Sequence, residues 1–375
     1  MLKEFIASHK QEIMQTWEDL HKIPELGREE FKTSAYLKKA LQAHGLEPQA
    51  VTETGFTVEI DSGKPGLTVG LRADMDALPY KDEQGHPYCI HACGHDAHMT
   101  MGLWTILALK ELNLVKNGKV KVLFQPSEEK GCGALDMIAA GAAKELDELY
   151  GVHIRPIQEL RSGEASPALL HGARYEGKIT VHGKQAHGAR PHLGYNAIDA
   201  AALIIMAINS LWLNPVESWS CKAVKITGGS LATNIIPNEA EIILDIRCAT
   251  NQLVEELLAK LETAAQGAAM SVGCTAEFTT SCGGPAADYD AGCVEALRKA
   301  IVAVVGEEHT KPAIITSGSD DFHCYRHEDP KLKTAFLALG TDAAPGLHDP
   351  RMTFNHDAIY TGIAILTTCL AGRVG

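Results

Sequence analysis

Residues 119–153, KVKVLFQPSEEKGCGALDMIAAGAAKELDELYGVH, run from one apolar segment of strand length to another through a glycine-punctuated loop and a short helical stretch. Residues 120–124 read as a strand, 134–140 as a helix and 148–152 as a second strand. The same alternation continues on both sides. Upstream are strands at Phe56–Asp61 and 67–71 and a long helix over 95–113. Downstream of residue 285 come a helix over 290–305, a strand at 313–316, a helix over 320–326, a strand at 334–339 and a C-terminal helix from about 357. Strands separated by helices predict an α/β fold: a mixed, largely parallel sheet with helices on both faces, since parallel neighbours need a crossover long enough to hold a helix. Residues 4–44 read as two amphipathic helices around the turn His21-Lys-Ile-Pro-Glu-Leu-Gly-Arg28.

From about residue 176 the rhythm changes. A strand at 178–182, an apolar helix at 196–211, strands at 223–228 and Glu239–Cys248, a helix at 252–270 and a strand at Thr275–Thr280 give the order β-α-β-β-α-β. That is the ferredoxin-like pattern, complete within about a hundred residues. A chain of 375 residues is long for one core. The expected organisation is therefore a discontinuous larger domain, 1–175 and 285–375, with an inserted α+β domain at 176–284 and a hinge at Gly283-Gly284-Pro285.

The net charge of -13 argues against a nucleic-acid partner, because phosphate binding needs a basic footprint. No run of about eighteen apolar residues is present, so no membrane span is expected. The first residues form an amphipathic helix without the basic-then-apolar order of a secretory signal, and a cytoplasmic location is expected. The ten cysteines lack framework spacing and read as reduced thiols.

Chemistry concentrates in a few loops. His91-Ala-Cys93-Gly-His95-Asp96-Ala-His98 places four potential metal ligands within eight residues. Glu128-Glu129, His153 and His348 lie in three further segments, mostly just past an apolar run, where open α/β sheets carry their functional loops. Cys93, His95, Glu129, His153 and His348 exceed what one tetrahedral ion takes, so two divalent ions sharing Cys93 are expected. Adjacent side chains at a strand end point different ways. Glu129 is then free to bind metal while Glu128 acts as general base on a metal-bound water. Asp76 is expected to support the free ring nitrogen of a ligating histidine, and Asp96 to do the same. His187, in a polar turn with Lys184, Arg190 and His192, is a candidate oxyanion stabiliser or substrate-carboxylate contact. Asn234 is a candidate substrate contact, and Arg247 a weaker one with a surface ion pair as its alternative. Ser317-Gly-Ser-Asp320-Asp321-Phe322 reads as a glycine loop opening a helix, with the aspartates as simple caps.

Together RADMDALP (72–79), HACGHDAH (91–98), QPSEE (125–129), GVH (151–153), HGKQAHGARPHLG (182–194), TNIIPN (233–238), GSDDF (318–322) and LH (347–348) resemble the aminoacylase/carboxypeptidase branch of the M20 metallopeptidases and amidohydrolases. That branch includes N-acyl-amino-acid deacylases, hippurate hydrolases, auxin-conjugate hydrolases and N-acetyl-diaminopimelate deacetylases. The resemblance implies two ions per subunit (manganese, zinc, cobalt or nickel) on the five donors above, with Glu128 as base and proton shuttle. It implies that the smaller domain is a lid and homodimerisation surface, with His187 and Asn234 reaching an active site of their own or the partner subunit. Asp74 falls where other branches carry a ligating histidine and Cys93 where they carry a bridging aspartate, while Ala97 replaces a common glycine. The implied activity is metal-dependent hydrolysis of the amide of a small N-acyl amino acid. The alternatives are a carboxypeptidase or dipeptidase acting on unblocked peptides, and a non-catalytic metal- or ligand-binding protein on the same fold.

Overall fold

Strands Lys119–Gln125, Thr68–Asp74, Glu148–Pro156 and Lys333–Ala343 lie side by side and parallel at the centre of a seven-stranded sheet. The computed structural model describes residues 1–280 and 283–375. Burial explains the parallel centre: all nine residues of Glu148–Pro156 are buried, as a strand covered on both faces requires. Phe56–Asp61 and Ala165–Ser166 add antiparallel toward the two edges, so the sheet is mixed. Alternate residues feed two cores. Val120, Val122 and Phe124 join the cluster containing helices His95–Glu111, Ala291–Val305 and Ala358–Val374. Leu123 joins Met137, Phe322 and Phe336 on the opposite face. The His95–Glu111 helix is buried from His95 through Leu109, which is why its sequence is apolar nearly all round.

This sheet belongs to a unit formed by Met1–Leu170, Asp288–Thr316 and Asp320–Gly375; the second unit is His171–Ala287 with Ser317–Ser319. The second unit has four antiparallel strands in the spatial order Trp219–Gly228, Glu239–Cys248, Ala173–His182, Thr275–Thr280. Helices Ala197–Asn209 and Asn251–Met270 pack on it around Ile179, Ile204, Ile242 and Leu257. It begins at His171 instead of 176 because the Ala173–His182 strand pairs along its whole length with Glu239–Cys248. Arg174, Glu176 and Gly177 hide that strand's first half from an apolar-alternation reading.

Three other expectations need correction. The N-terminal region holds three helices, Leu2–Ser8, Lys10–His21 and Phe31–Ala43, because His9 (φ -106°, ψ 12°) interrupts the first. The short strand Ile314–Thr316 stays outside the seven-stranded sheet. The helix expected from 320 starts at His323, and its N-cap, Phe322, makes no side-chain capping bond, so the aspartates are not simple caps. Among the described residues no helix is long and apolar enough to cross a membrane.

Candidate active site

The parallel centre aligns the C-terminal ends of its strands: Glu128 and Glu129 follow Lys119–Gln125, and His348 follows Lys333–Ala343. His153 lies within Glu148–Pro156, which runs four residues past the expected end at 152, while Cys93 and His95 follow the strand Pro87–Ile90 of a separate two-stranded sheet. Asp74 pairs with Gln125 in register, and His153 with Ala338. Cys93 and His95 are joined through Gly94, whose φ of 87° lies in the left-handed region. A Cβ there would come within 2.3 Å of Ile154 Cδ1, so only glycine lets the chain turn into the His95 helix while packing on that strand. Ser127 (φ 61°) and His348 (φ 65°) are left-handed without being glycine. Each such conformation costs about 1–3 kcal/mol and persists where surrounding contacts over-determine it, often beside functional groups.

The donors converge. Cys93 Sγ lies 3.3 Å from His153 Nε2 and 3.3 Å from His348 Nε2. Glu129 Oε1 lies 3.6 Å from His348 Nε2 and 3.8 Å from His95 Nε2. Glu128 Oε2 is also 3.8 Å from His95 Nε2. The far ring nitrogens are committed: His95 Nδ1 donates to the Asp76 carbonyl at 2.9 Å and His153 Nδ1 to the Ile154 carbonyl at 2.7 Å. Each Nε2 is thereby left with its lone pair toward the cluster. His95 Nε2 and Glu129 Oε1 are buried without a hydrogen-bond partner among the described residues. Buried polar atoms are seldom left so, and a cation accepting both lone pairs resolves them. One thiolate, three imidazoles and a carboxylate fit a divalent transition metal.

The electrostatics suit the same chemistry. Burial pushes the Glu128 carboxyl well above the usual range, and Asp320 and Glu129 add to the shift. Burial raises Glu129 to about 7 against the pull of His95. Burial and Glu129 hold the Cys93 thiol well above its ordinary value. For His95 burial acts downward, but Asp74 and the bond to Asp76 outweigh it and raise the imidazole strongly. The metal-free cluster thus retains protons that bound cations would displace.

Several residues do something other than expected. Asp76 does more than expected: its carboxylate lies 3.5 Å from His95 Nδ1 and also accepts the backbone N–H groups of Glu128 and Glu129 at 2.9 and 3.0 Å, while its main-chain carbonyl accepts from His95 Nδ1. The Asp96 carboxylate accepts from His21 Nδ1 at 2.7 Å and from Ala97 N at 2.8 Å, neither of which belongs to the five candidate ligands. His98 is not free to ligate, since Nδ1 donates to Asp74 Oδ1 at 2.7 Å and Nε2 accepts from Ile154 N at 3.0 Å. Asp320 and Asp321, expected to cap a helix, ion-pair with fully buried Arg72 at 3.1 and 2.7 Å. Arg72 also bonds Asp74 at 2.5 Å and Gln125 at 3.0 Å. A lone arginine inside an apolar strand was the available signal for this network.

His187, Asn234 and Arg247 belong to the second unit. His187 and Asn234 are exposed on adjoining backbone, where Gly188 N donates to the Asn234 carbonyl at 2.7 Å. Ala189 N donates to His187 Nδ1 at 3.0 Å, leaving Nε2 as the N–H of a neutral ring. Arg247 pairs with Asp245 at 3.1 Å, the ion-pair alternative foreseen for it.

A family model described as peptidase family M20/M25/M40 matches residues 70–372. N-acetyl-L-cysteine deacetylase of Bacillus subtilis is 32% identical over 355 residues, covering 91% of this chain and 83% of that protein. N-acetyldiaminopimelate deacetylase of Listeria monocytogenes is 30% identical over 392 residues, covering 100% of both. A methicillin-resistant Staphylococcus aureus protein, whose name puts it with the aminohydrolases, has a crystal structure with a TM-score of 0.90 at 27% identity, covering 100% of this chain and 99% of that one. Motifs, fold and these matches lead to one assignment: the chain belongs to peptidase family M20/M25/M40 and is a metal-dependent hydrolase.

Proposed function

We propose that this protein hydrolyses the amide bond of small N-acyl amino acids. The observation that carries the reading is the convergence of Cys93, His95, Glu129, His153 and His348, with two donor atoms orphaned, and a second carboxyl, Glu128, 3.8 Å from His95 Nε2. The deacetylase names of the relatives supply the substrate class. These five residues would hold two divalent ions, which would supply the Lewis acidity that brings a water's pKa toward about 7 and polarises the scissile carbonyl. Glu128 then takes the proton released as the water oxygen adds to the carbonyl carbon. It returns that proton to the amide nitrogen, so the C–N bond breaks as an N–H bond forms and a neutral amine leaves. Its buried carboxyl, held well above the ordinary carboxylate range, favours keeping the proton until the amine leaves. Asp76 holds Glu128 and Glu129 by their backbone amides. His187 serves as oxyanion donor through its Nε2–H, and Asn234 as a substrate contact.

The proposal includes a homodimer formed through the second unit. Its edge strand Trp219–Gly228 exposes Val224 and Ile226, and the neighbouring helix exposes Met206. An unpaired apolar edge of this kind is a template for pairing with a second copy. The proposed location is the cytoplasm, where thiols such as those of Cys221, Cys248 and Cys369 would stay reduced.

The test is amine release from N-acetyl, N-benzoyl and longer N-acyl amino acids beside unblocked dipeptides, with manganese- or zinc-loaded and chelated enzyme. Metal-dependent turnover of the acylated set is expected. Cleavage of dipeptides alone would replace the reading with a peptidase.

A further inference from the structure

Three successive peptide N–H groups at the start of the Glu128 loop end on carboxylates. Those of Glu128 and Glu129 go to Asp76, and that of Ser127 goes to Glu30 Oε1 at 2.8 Å. Glu30 comes from the N-terminal segment and is fully buried. Its other oxygen accepts from Thr54 Oγ1 at 2.7 Å. The segment around it lies directly on the same loop. A Cβ on Gly27 would stand 2.8 Å from Ser127 Oγ and 3.1 Å from Asp76 Oδ2. Lys130 Nζ donates to the Gly27 carbonyl at 2.5 Å, and Ala77 N to the Glu25 carbonyl at 2.8 Å. One stretch of chain, 25–30, therefore braces both the Asp76 turn and the Glu128 loop.

Satisfying a buried amide would by itself be a structural duty. What separates this bond from others is the residue that makes it. Ser127 is held at φ 61°, a region that serine rarely occupies, and it immediately precedes Glu128. Ser127 φ is the angle between two peptide units: the one leading into Glu128 is held by Asp76 on its N–H and by Gly133 N on its carbonyl at 3.2 Å, so relaxation of Ser127 toward an ordinary conformation must rotate the unit that ends on the Ser127 N–H. The Glu30 bond is the contact on the Ser127 N–H that opposes this rotation. A catalytic carboxyl displaced by a fraction of an ångström loses much of its effect.

We propose that Glu30 is a positioning residue for hydrolysis: by holding the Ser127 N–H it keeps the left-handed turn that aims Glu128. The inference rests on Glu128 being the base of the proposed reaction. Its test compares Glu30→Ala, Glu30→Gln and Thr54→Val with the wild type, all metal-loaded. kcat and KM are measured on an N-acyl amino acid that the wild type cleaves, with metal content, and with amide hydrogen exchange of the peptide spanning 125–133. Glu30→Ala orphans the Ser127 N–H, and kcat is expected to fall about 10- to 100-fold with KM within about twofold and metal content retained. Exchange at 125–133 should accelerate. Glu30→Gln keeps an oxygen for Ser127 and an NH2 for the Thr54 hydroxyl, so it should stay within about threefold of wild type. Thr54→Val frees one side of the carboxylate and should fall between them.

Wild-type kcat and exchange in folded Glu30→Ala would overturn the inference, as would equal impairment in Glu30→Gln. If Glu30→Ala does not fold, unchanged kcat and exchange in Thr54→Val overturn it instead. A wild type that cleaves no amide would refute the functional reading. The exchange measurement would still decide whether Glu30 holds the loop.

Discussion

Strand Glu148–Pro156 carries buried charge at one end and a candidate metal ligand at the other, and the two ends are treated oppositely. Glu148 accepts two bonds from Arg373, at 2.8 and 2.5 Å, and one from the Tyr150 hydroxyl at 3.0 Å. Each of its oxygens is satisfied, and the result ties the C-terminal helix to the sheet. At the other end His153 has its Nδ1 fixed and its Nε2 turned to Cys93, in a cluster where His95 Nε2 and Glu129 Oε1 have no hydrogen-bond partner among the described residues. Desolvation costs both ends alike. Pairing offsets it at the first and makes a structural tie. At the second it is left open, which a folded protein tolerates where a ligand or reaction will complete the set.

The largest effect that would break this contrast is on turnover. Glu128→Gln keeps the shape of the loop but cannot move the proton, and kcat is expected to fall about 10²- to 10⁴-fold with metal content unchanged. Near-wild-type turnover would end Glu128's part in the reaction. At the paired end Glu148→Ala leaves Arg373 half-buried without its carboxylate. Chemical denaturation should show a loss of about 2 kcal/mol, reduced from the fully buried case by Arg373's access to water. Turnover per folded molecule should not change; a large fall in kcat would mean that the two ends are coupled.

The smallest effect tests a paired charge at the functional end. His21 donates to Asp96, the residue after His95, and that bond raises the imidazole above its ordinary value despite burial. For Asp96 burial acts upward, but the bond to His21, the nearby His91 and the Ala97 N–H together outweigh it and hold the carboxyl low. The raised His21 contributes stability that is complete below its unfolded pKa of about 6.5 and is lost as pH rises through the folded value. The depressed Asp96 contributes above about 3.9, and its share is lost as pH falls through its folded value. The stability difference between wild type and His21→Ala should therefore be largest near pH 5 to 6. It should shrink above the raised pKa and stay below about 1 kcal/mol, because His21 is half exposed to solvent. A difference independent of pH would remove the ion-pair account and leave only packing against Trp17.

Much of the candidate site was legible because its signals are local. Cys93-x-His95, Glu128-Glu129 and the single histidines each follow a strand-like run, and parallel strands deliver such loops to one edge of a sheet. The residues that escaped are joined over long separations. Glu30 meets Ser127 across 97 positions, and Arg72 meets Asp321 across 249. An acid in a polar stretch looks the same whether solvated or buried, so Asp320 and Asp321 read as cap acids although both are buried. His98 shared a motif with two ligands, and only its two partners show that it is already committed.

By itself the sequence determined the α/β order, the family and the residue types that gather around a metal, since strand period, loop punctuation and ligand spacing are short-range properties of the chain. Only the tertiary structure decided which polar atoms are paired and which are left open. That depends on what burial brings against each one, and burial exists only once the chain has folded.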